Sequence, residues 1–416
     1  MKKSLLLLLF SILIAFSFIS VAKAKDCHLS EKEMTITVGS TAKLKVKGTK
    51  EKISWSSSDK KIVSVKNGKI TAKNPGIAVI TAKAGKSVMS CLVTVEKTGI
   101  LVHMLDIGQG DAILIQVSNK NFLIDTGEEK YYEQLKTQLD HFGVKSVDSL
   151  ILTHPDSDHI GSADKVIANY DVTNVYMPKK SSSSREYSEV ISALSSAGVT
   201  PINPNEGDFL PLACDLTAQV LSVDEGDSNN SASIVMRLDY YNNSFLFTGD
   251  APAKVENTVM SKYDVDVDVL KVAHHGSDYS SPILYLKTVS PEVALISVGV
   301  GNSYGHPCDT TINRLEKFAK SILRTDLNGT ITIKGDGDTL TSETEHLITW
   351  EEKEFETKSR KFTDTKESTQ IIGNKKSKVY HTDLCDSLPL EKNRIYFDSE
   401  DEAIAQGYRP HNSCVN

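Results

Sequence analysis

ILTHPDSDHIGS, residues 151–162, sets two histidines and two aspartates within six positions, directly after an apolar run that reads as a strand. On a helix, His154, Asp156, Asp158 and His159 would be scattered around the circumference. A loop at a strand end can aim all four at one point. Imidazole with carboxylate is the ligand set of borderline and hard divalent metals, and two such ions about 3.5–4 Å apart suit hydrolysis of phosphate esters or amides. A polar turn whose aspartates cap backbone N–H groups would use the same residue types. The rest of the chain has to decide between them.

If this loop is half of a metal site, other strand ends nearby should bring the remainder. LFTGD ends at Asp250, and LKVAHHGS closes a strand with His274 and His275. A carboxylate between two ions with a further imidazole is what a dinuclear hydrolase needs. LIDTG places Asp125 where it would orient a ligand from behind. Lys271 reads as a strand-face lysine and Ser277 as a turn hydroxyl. DIGQGDA, residues 106–112, is glycine-rich but lacks the Lys-Ser/Thr that completes a P-loop, so it reads as a tight turn near the site; Gln109 and Asp111 are read as structural, with lining of the cleft as the other role.

These stretches belong to a segment, residues 99–352, in which apolar strands alternate with helix-capable stretches. ILVHMLDIG, AILIQV, NFLIDTG, SLILTHP, NVYMP, SIVMRLDY, SFLFTGD, DVLKVAHHG, VALISVG, SILRTD and TITIKGDG are predicted strands. KYYEQLKTQLDHFGV, GSADKVIANY, EYSEVISALSSAGV and TTINRLEKFAKS show helical spacing, two of them with Gly at the end. Strands alternating with helices predict a layered α/β domain.

The 416-residue chain is too long for one ordinary domain. Its start, residues 1–24, has two lysines, an apolar core and the small-x-small end Ala22-Lys23-Ala24, the pattern of a cleaved secretory signal, with an N-terminal membrane anchor as the other reading. Asp26 before Cys27 does not fit a lipobox, so a secreted, extracellular product is expected, with surface association open. No further long apolar span follows, so the chain is not expected to form a transmembrane channel. Formal net charge is −7, more negative still without Lys2, Lys3 and Lys23. A nucleic-acid partner would therefore be held by local groups and metal ions, not by a basic field. Of the six cysteines, Cys27 and Cys91 fall in one segment and form the natural disulfide pair. Cys214 and Cys308 read as buried or weakly reactive thiols.

Residues 25–98 carry short alternating stretches such as MTITV, KISWSSS, IAVITAKAG and SCLVTVEK, the pattern of a small antiparallel β-sandwich. WSSSD at 55–59, VKNGKITA at 65–72 and PGIAVITA at 75–82 resemble the bacterial immunoglobulin-like domains of group 2, which implies a spacer or a contact with the cell wall or surface. Trp55 is expected in its core. Residues 353–377 are charged and Ser/Thr-rich and read as a linker. In the final piece, residues 378–416, His381 and Cys385 precede His411 and Cys414 across about 25 residues, a spacing that suits a structural zinc. An oxidised Cys385–Cys414 pair is the other reading. VYHTDLC and NRIYFDSEDEAIAQGYRP resemble the small metal-binding module of the Ada repair protein, in which the module touches DNA.

The 99–352 segment resembles the metallo-β-lactamase fold, and closely its ComEC-type branch, the extracellular part of a DNA-uptake channel. The matching blocks are LDIGQGDAILI, FLIDTG, THPDSDHIGS, NNSASIVMRL, FLFTGD, LKVAHHGS and YGHP, in that order. The resemblance implies an αββα four-layer sandwich and two divalent ions, zinc or manganese. Asp156 stands where the wider fold has a second histidine, and the added oxygen makes manganese plausible. Carried over, His154 and Asp156 would serve one ion and Asp158 and His159 the other. Asp250 would bridge, and His274 or His275 would complete the second site. Asn230 lies where a further histidine is missing. Asp158 would take the proton of the attacking water, and His306 in YGHP would contact substrate oxygens or protonate the leaving group; a loop histidine with structural hydrogen bonds is the plainer role for it. The expected function is a secreted metal-dependent phosphodiesterase acting on extracellular DNA. The alternatives are a hydrolase of a small molecule, such as a lactone, thioester or cyclic nucleotide, and a non-catalytic surface-binding protein.

Overall fold

A computed structural model describes residues 27–223, 226, 228–345, 353–356, 371–382, 389, 391–397 and 400–410. The signal sequence expected at 1–24, and Cys385, His411 and Cys414 of the expected zinc set, lie outside these residues. Two compact units divide the chain, Met1–Lys97 and Thr98–Asn416. Among the described residues no helix is long and apolar enough to cross a membrane.

The first unit is β-rich. One sheet has the order Glu33–Thr37, Ser87–Glu96, Gly76–Ala84, Ile53–Ser57; a second has the order Thr41–Lys43, Lys69–Ala72, Val63–Lys66. Alternate residues point to the same face of a strand. Ala78, Ile80 and Ala82 of the first sheet therefore share a core with Val63, Ile70 and Ala72 of the second, and Trp55 packs against it as expected. The expected Cys27–Cys91 disulfide is absent, because both thiols are free. Cys91 is a core residue whose thiol burial pushes up to about 11, while the Cys27 thiol faces the Gly48 carbonyl at 3.7 Å. Cys214, expected to be buried or weakly reactive, is exposed.

The second unit holds the α/β domain. Its strands are β1 (Ile100–Met104), β2 (Ile113–Val117), β3 (Lys120–Ile124), β4 (Ser146–Ile151), β5 (Asp171–Tyr176), β6 (Thr217–Ser222), β7 (Val235–Tyr240), β8 (Asn243–Phe247), β9 (Val269–Lys271), β10 (Val293–Ile296), β11 (Ser321–Arg324), β12 (Ile331–Gly335), β13 (Thr339–Thr344) and β14 (Lys353–Glu356). They form an eight-stranded sheet in the order β5-β4-β3-β2-β1-β12-β13-β14 and a six-stranded sheet in the order β6-β7-β8-β9-β10-β11. Its helices include α1 (Tyr132–His141), α2 (Ser157–Ile160), α3 (Ala163–Asn169), α4 (Arg185–Ala197), α5 (Ala253–Lys262), α6 (Ile283–Val289) and α7 (Asp309–Phe318).

The layers follow from the sequence. Strands covered on both faces read as continuous apolar runs, and each residue chooses a layer by its parity. Ile113 and Ile115 of β2, Phe122 and Ile124 of β3, Phe245 and Phe247 of β8 and Val269 of β9 fill the space between the sheets. Their neighbours Leu114 and Leu123 turn outward against Leu135 and Leu139 of α1, Val166 of α3 and Val190 and Leu194 of α4. Leu246 and Leu270 turn the other way, against Val255 and Val259 of α5, Leu286 of α6 and Leu315 of α7. The result is the expected αββα sandwich. Helix α4 shows how locally these boundaries are written: the Ser184 hydroxyl accepts from Tyr187 N–H at 3.2 Å at one end, and Gly198 takes a left-handed φ of 67° at the other.

Pairing is parallel along β3-β4-β5 and along β8-β9-β10-β11, and antiparallel elsewhere in the two sheets. Parallel strands end on one edge, so β3, β4, β8 and β9 deliver their following loops side by side. Ile234 N–H donates to Thr153 O at 3.0 Å and ties the loops of the two sheets together there.

Two strands lie inside the stretch read as a linker. β14 pairs with β13, and Ile371–Asn374 joins Val379–Thr382, Arg394–Phe397 and Arg409–Pro410 in a small sheet. Ile371, Tyr380, Phe397, Ala403 and Tyr408 form that sheet's core, and His381 is buried in it.

Candidate metal centre

Each loop that leaves the shared edge brings a polar side chain into the domain. Behind β3, Asp125 is fully buried with a left-handed φ of 57°, a conformation costly for a residue with a Cβ. It is held there by its contacts. Thr153 N–H donates to its Oδ1 at 2.7 Å, the Thr153 hydroxyl to its Oδ2 at 2.6 Å, and His159 Nδ1 to the same Oδ2 at 2.8 Å.

Those bonds decide the histidine tautomers. A carboxylate only accepts, so His159 carries hydrogen on Nδ1 and turns Nε2 away from Asp125. The Thr153 hydroxyl has spent its hydrogen on Asp125, so at 3.1 Å it accepts from His154 Nδ1. His275 Nδ1 donates to the Ser297 carbonyl at 2.8 Å. Three Nε2 atoms therefore face one space.

Asp250 stands in that space. Its Oδ1 lies 3.3 Å from His159 Nε2, and its Oδ2 lies 4.0 Å from His154 Nε2 and 3.6 Å from His275 Nε2. Asp156 Oδ2 is 3.6 Å from His154 Nε2, and Asp158 Oδ2 is 3.2 Å from His275 Nε2. Single atoms of Asp158, His159, Asp250 and His275 all lie within 4.8 Å of one another, the spread of donors around one ion. His154, Asp156 and Asp250 make a second group beside it.

Buried polar atoms without partners are costly and rare in folded proteins. Here His154 Nε2, His159 Nε2 and Asp250 Oδ1 are buried without a hydrogen-bond partner, and all three belong to the convergent set. A donor set of imidazole nitrogens and carboxylate oxygens fits two divalent ions. The electrostatics agree. Burial alone would raise the Asp250 carboxyl, yet the His159 and His275 rings hold it well below the usual carboxylate range. Burial would lower His275, but Asp250 and Asp111 push it up to about 10, so an ion ligated by its Nε2 would take the place of a proton there. The acids of the set are thus ready as anionic ligands, and cations are the favoured occupants.

His274 and His275 separate clearly. Both have φ near 50°, in a one-turn helix after β9. His275 is buried with Nε2 in the convergent set. His274 faces the cleft above it, with Nε2 3.7 Å from Asp250 Oδ2 and Nδ1 3.4 Å from Asn230 Nδ2. Asn230 thus lines the site where a further histidine is missing, and its neighbour Asn229, unmarked in the sequence reading, donates to Asp156 Oδ1 at 2.7 Å.

Lys271 was expected on a strand face and instead lies buried beneath the site. It pairs with Asp111, donates to Gly249 O at 2.9 Å, and sits 3.8 Å from Asp250 Oδ1. Asp111 is in turn 3.4 Å from His275 Nδ1. DIGQGDA is the tight turn foreseen: a Cβ at Gly110 would meet Asp158 O at 2.2 Å, and Asp111 N–H donates to that same oxygen at 3.1 Å. The chain passes so close to the metal loop that only glycine fits. Ser277 is a turn hydroxyl that accepts from Tyr279 N–H at 3.3 Å.

The open side is a cleft lined by Asp156, Asp158, Asn230, His274, Tyr304 and His306, with Gln109, Ser157, Asp250 and His275 at its base and rim. His306 packs edge-on to His274 with ring centroids 5.6 Å apart. Burial, and then the His274 and His275 rings, lower its pKa, so it is neutral at pH 7.

Comparison with known proteins agrees with this geometry. Residues 105–300 match the family model "Metallo-beta-lactamase superfamily", so the α/β unit is a metallo-β-lactamase domain. The chain is 34% identical over 251 residues to "ComE operon protein 3" of Bacillus subtilis, covering 55% of this chain and 32% of that protein. It is 29% identical over 235 residues to "Competence protein ComA" of Neisseria gonorrhoeae, covering 55% and 31%. The chain thus spans about a third of the length of these relatives. Among solved structures, the metallo-β-lactamase fold protein YhfI of Bacillus subtilis aligns with 54% of this chain and 95% of its own, at 14% identity and a TM-score of 0.37.

Proposed function

We propose that the metallo-β-lactamase domain is a metal-dependent phosphodiesterase that cuts DNA. The observation that carries the reading is the convergence of three Nε2 atoms and three carboxylates on one space, with buried donors that nothing else satisfies. His154, Asp156 and Asp250 would hold one ion; Asp158, His159, Asp250 and His275 would hold the other. Two divalent ions, zinc or manganese, supply the charge that polarises a phosphoryl oxygen and lowers the pKa of water.

The chain's own groups do the rest. Asp158 is the carboxylate of the second set that reaches solvent, with 22% of its side chain exposed, and it accepts the proton of the attacking water. His306, neutral and at the lip, offers a hydrogen bond to a substrate oxygen rather than a proton to the leaving group. Asp125 and Ser297 orient the imidazoles, and the buried Lys271 holds Asp111 and Asp250 in place.

DNA is favoured over other phosphodiesters by the resemblance to the ComEC-type branch and by the Ada-like tail with its His381, Cys385, His411 and Cys414. We assign the action to the outside of the cell on the signal-like residues 1–24, and a surface-contacting role to the immunoglobulin-like unit. The test is incubation of end-labelled single- and double-stranded DNA with the protein and manganese, magnesium or zinc, beside Asp158→Ala. Metal-dependent cutting that the variant loses is expected. Turnover of a lactone, thioester or cyclic nucleotide with all DNA left intact would overturn the assignment.

A further inference from the structure

Among the described residues, neither lysine nor arginine lines the cleft. Most nucleic-acid sites draw their affinity from cations against the phosphate backbone. This wall is made of carboxylates, amides, a hydroxyl and aromatic rings, so no cationic side chain in it pairs with the phosphates, and its rings are free to act on the bases.

The rings form a ladder from the metal site to solvent. His275 lies 6.2 Å from His274, edge-on at 74°; His274 lies 5.6 Å from His306, again at 74°; His306 lies 6.1 Å from Tyr304 at 19°, nearly parallel. Tyr304 ends the ladder with 65% of its surface exposed, so core packing does not explain it. Its backbone is nonetheless pinned. Tyr304 N–H and His306 N–H both donate to Asn302 Oδ1, at 3.2 and 3.1 Å, and Asn302 Nδ2 donates back to His306 O at 2.6 Å. An exposed ring on a fixed loop is a surface whose ordering cost is already met.

We propose that Tyr304 is a stacking platform for an unpaired nucleobase beside the scissile phosphodiester, so that the site selects single-stranded DNA or frayed ends. The inference rests on the phosphodiesterase reading and adds the substrate form. Every base has a π-face, which makes stacking tolerant of sequence. Within a duplex that face is covered by the neighbouring base pairs and cannot meet the ring. The missing cations imply a second property: binding should depend on salt far less than it does for a basic groove.

The test uses the full-length protein loaded with manganese, a single-stranded oligonucleotide, the blunt duplex of the same sequence, and single strands with an abasic site at successive positions. A phosphorothioate-linked strand carrying 2-aminopurine reports stacking by fluorescence, independently of turnover. For Tyr304→Ala, KM for the single strand should rise roughly 5- to 150-fold with kcat little changed, the span that one base stack implies. Tyr304→Phe should behave as wild type. An abasic site at one position should raise the wild-type KM and remove the difference between wild type and Tyr304→Ala. Quenching of 2-aminopurine at that position should be lost in the alanine variant. If DNA is cut but Tyr304→Ala keeps the wild-type KM and quenching, the platform is wrong and the phosphodiesterase reading stands. If wild type with both ions bound cuts no DNA, both fall.

Discussion

His275 donates its Nδ1–H to the carbonyl of Ser297 across 2.8 Å, and that bond turns its Nε2 toward Asp158 and Asp250. His274, one residue earlier, has no such anchor in the sheet and faces the cleft. The two histidines should therefore separate in metal content. His275→Ala is expected to bind one ion fewer and to lose activity, whereas His274→Ala is expected to keep two. Elemental analysis of the purified variants, with metal per chain as the readout, checks this; equal loss from both would contradict it.

Asp125 meets His159 at Nδ1, behind the Nε2 that joins the convergent set, and it fixes Thr153 and His159 together. Groups that orient a ligand from behind typically contribute 10–100-fold in metal affinity. Asp125→Asn should weaken binding of the tighter ion by roughly that factor while leaving the saturated stoichiometry at two. Competition against a chromophoric chelator measures it.

Lys271 and Asp111 form a buried ion pair beneath the site. Removing one partner of such a pair strands the other charge, at a cost of about 3–5 kcal/mol. Lys271→Met should lower stability by about that amount in urea unfolding of the metal-free protein. The double variant Lys271→Met with Asp111→Leu should recover part of it, because no charge is then left unpaired.

Glu256, on α5, is fully buried, and its carboxylate oxygens lie 2.6 Å from Ser281 N and 3.4 Å from Ser281 Oγ. Burial, only partly offset by the Ser281 hydrogen bonds, pushes its carboxyl up from 4.5 to about 8. Between these values the folded chain holds a proton that the unfolded chain has lost. Unfolding then releases that proton, so stability falls as pH rises from 4.5 to about 8 and levels off above. Glu256→Gln keeps an acceptor for Ser281 N–H and should flatten this slope. Urea midpoints of both proteins across that window provide the comparison.

The residues that converge around Asp250 stood out in the sequence because they sit next to apolar runs: strand ends announce themselves, and THPDSDH, TGD and AHHG each follow one. The choice between His274 and His275 was not legible, since it depends on the Ser297 carbonyl, 22 positions away. Lys271 was misjudged for a similar reason: a charged residue in a strand reads as solvent-facing unless its partner, Asp111, 160 positions earlier, is known. In the fold, β13 escaped notice because TLTSET carries one large apolar residue, Leu340, and its strand character comes from pairing with β12. Helices α5 and α6 were missed as well; α5 offers few apolar anchors, among them Val255 and Val259, to mark its buried face.

The central claim is that the convergent donors around Asp250 make a two-metal phosphodiesterase. Its most direct test is to strip the protein of metal, add manganese back one equivalent at a time, and follow cleavage of a single-stranded oligonucleotide, with Asp250→Asn in parallel. Activity should be absent from the stripped protein, reach its full value only with the second equivalent, and stay absent in Asp250→Asn. Cleavage by the stripped protein or by Asp250→Asn at the wild-type rate, or intact DNA with two ions bound, would contradict it.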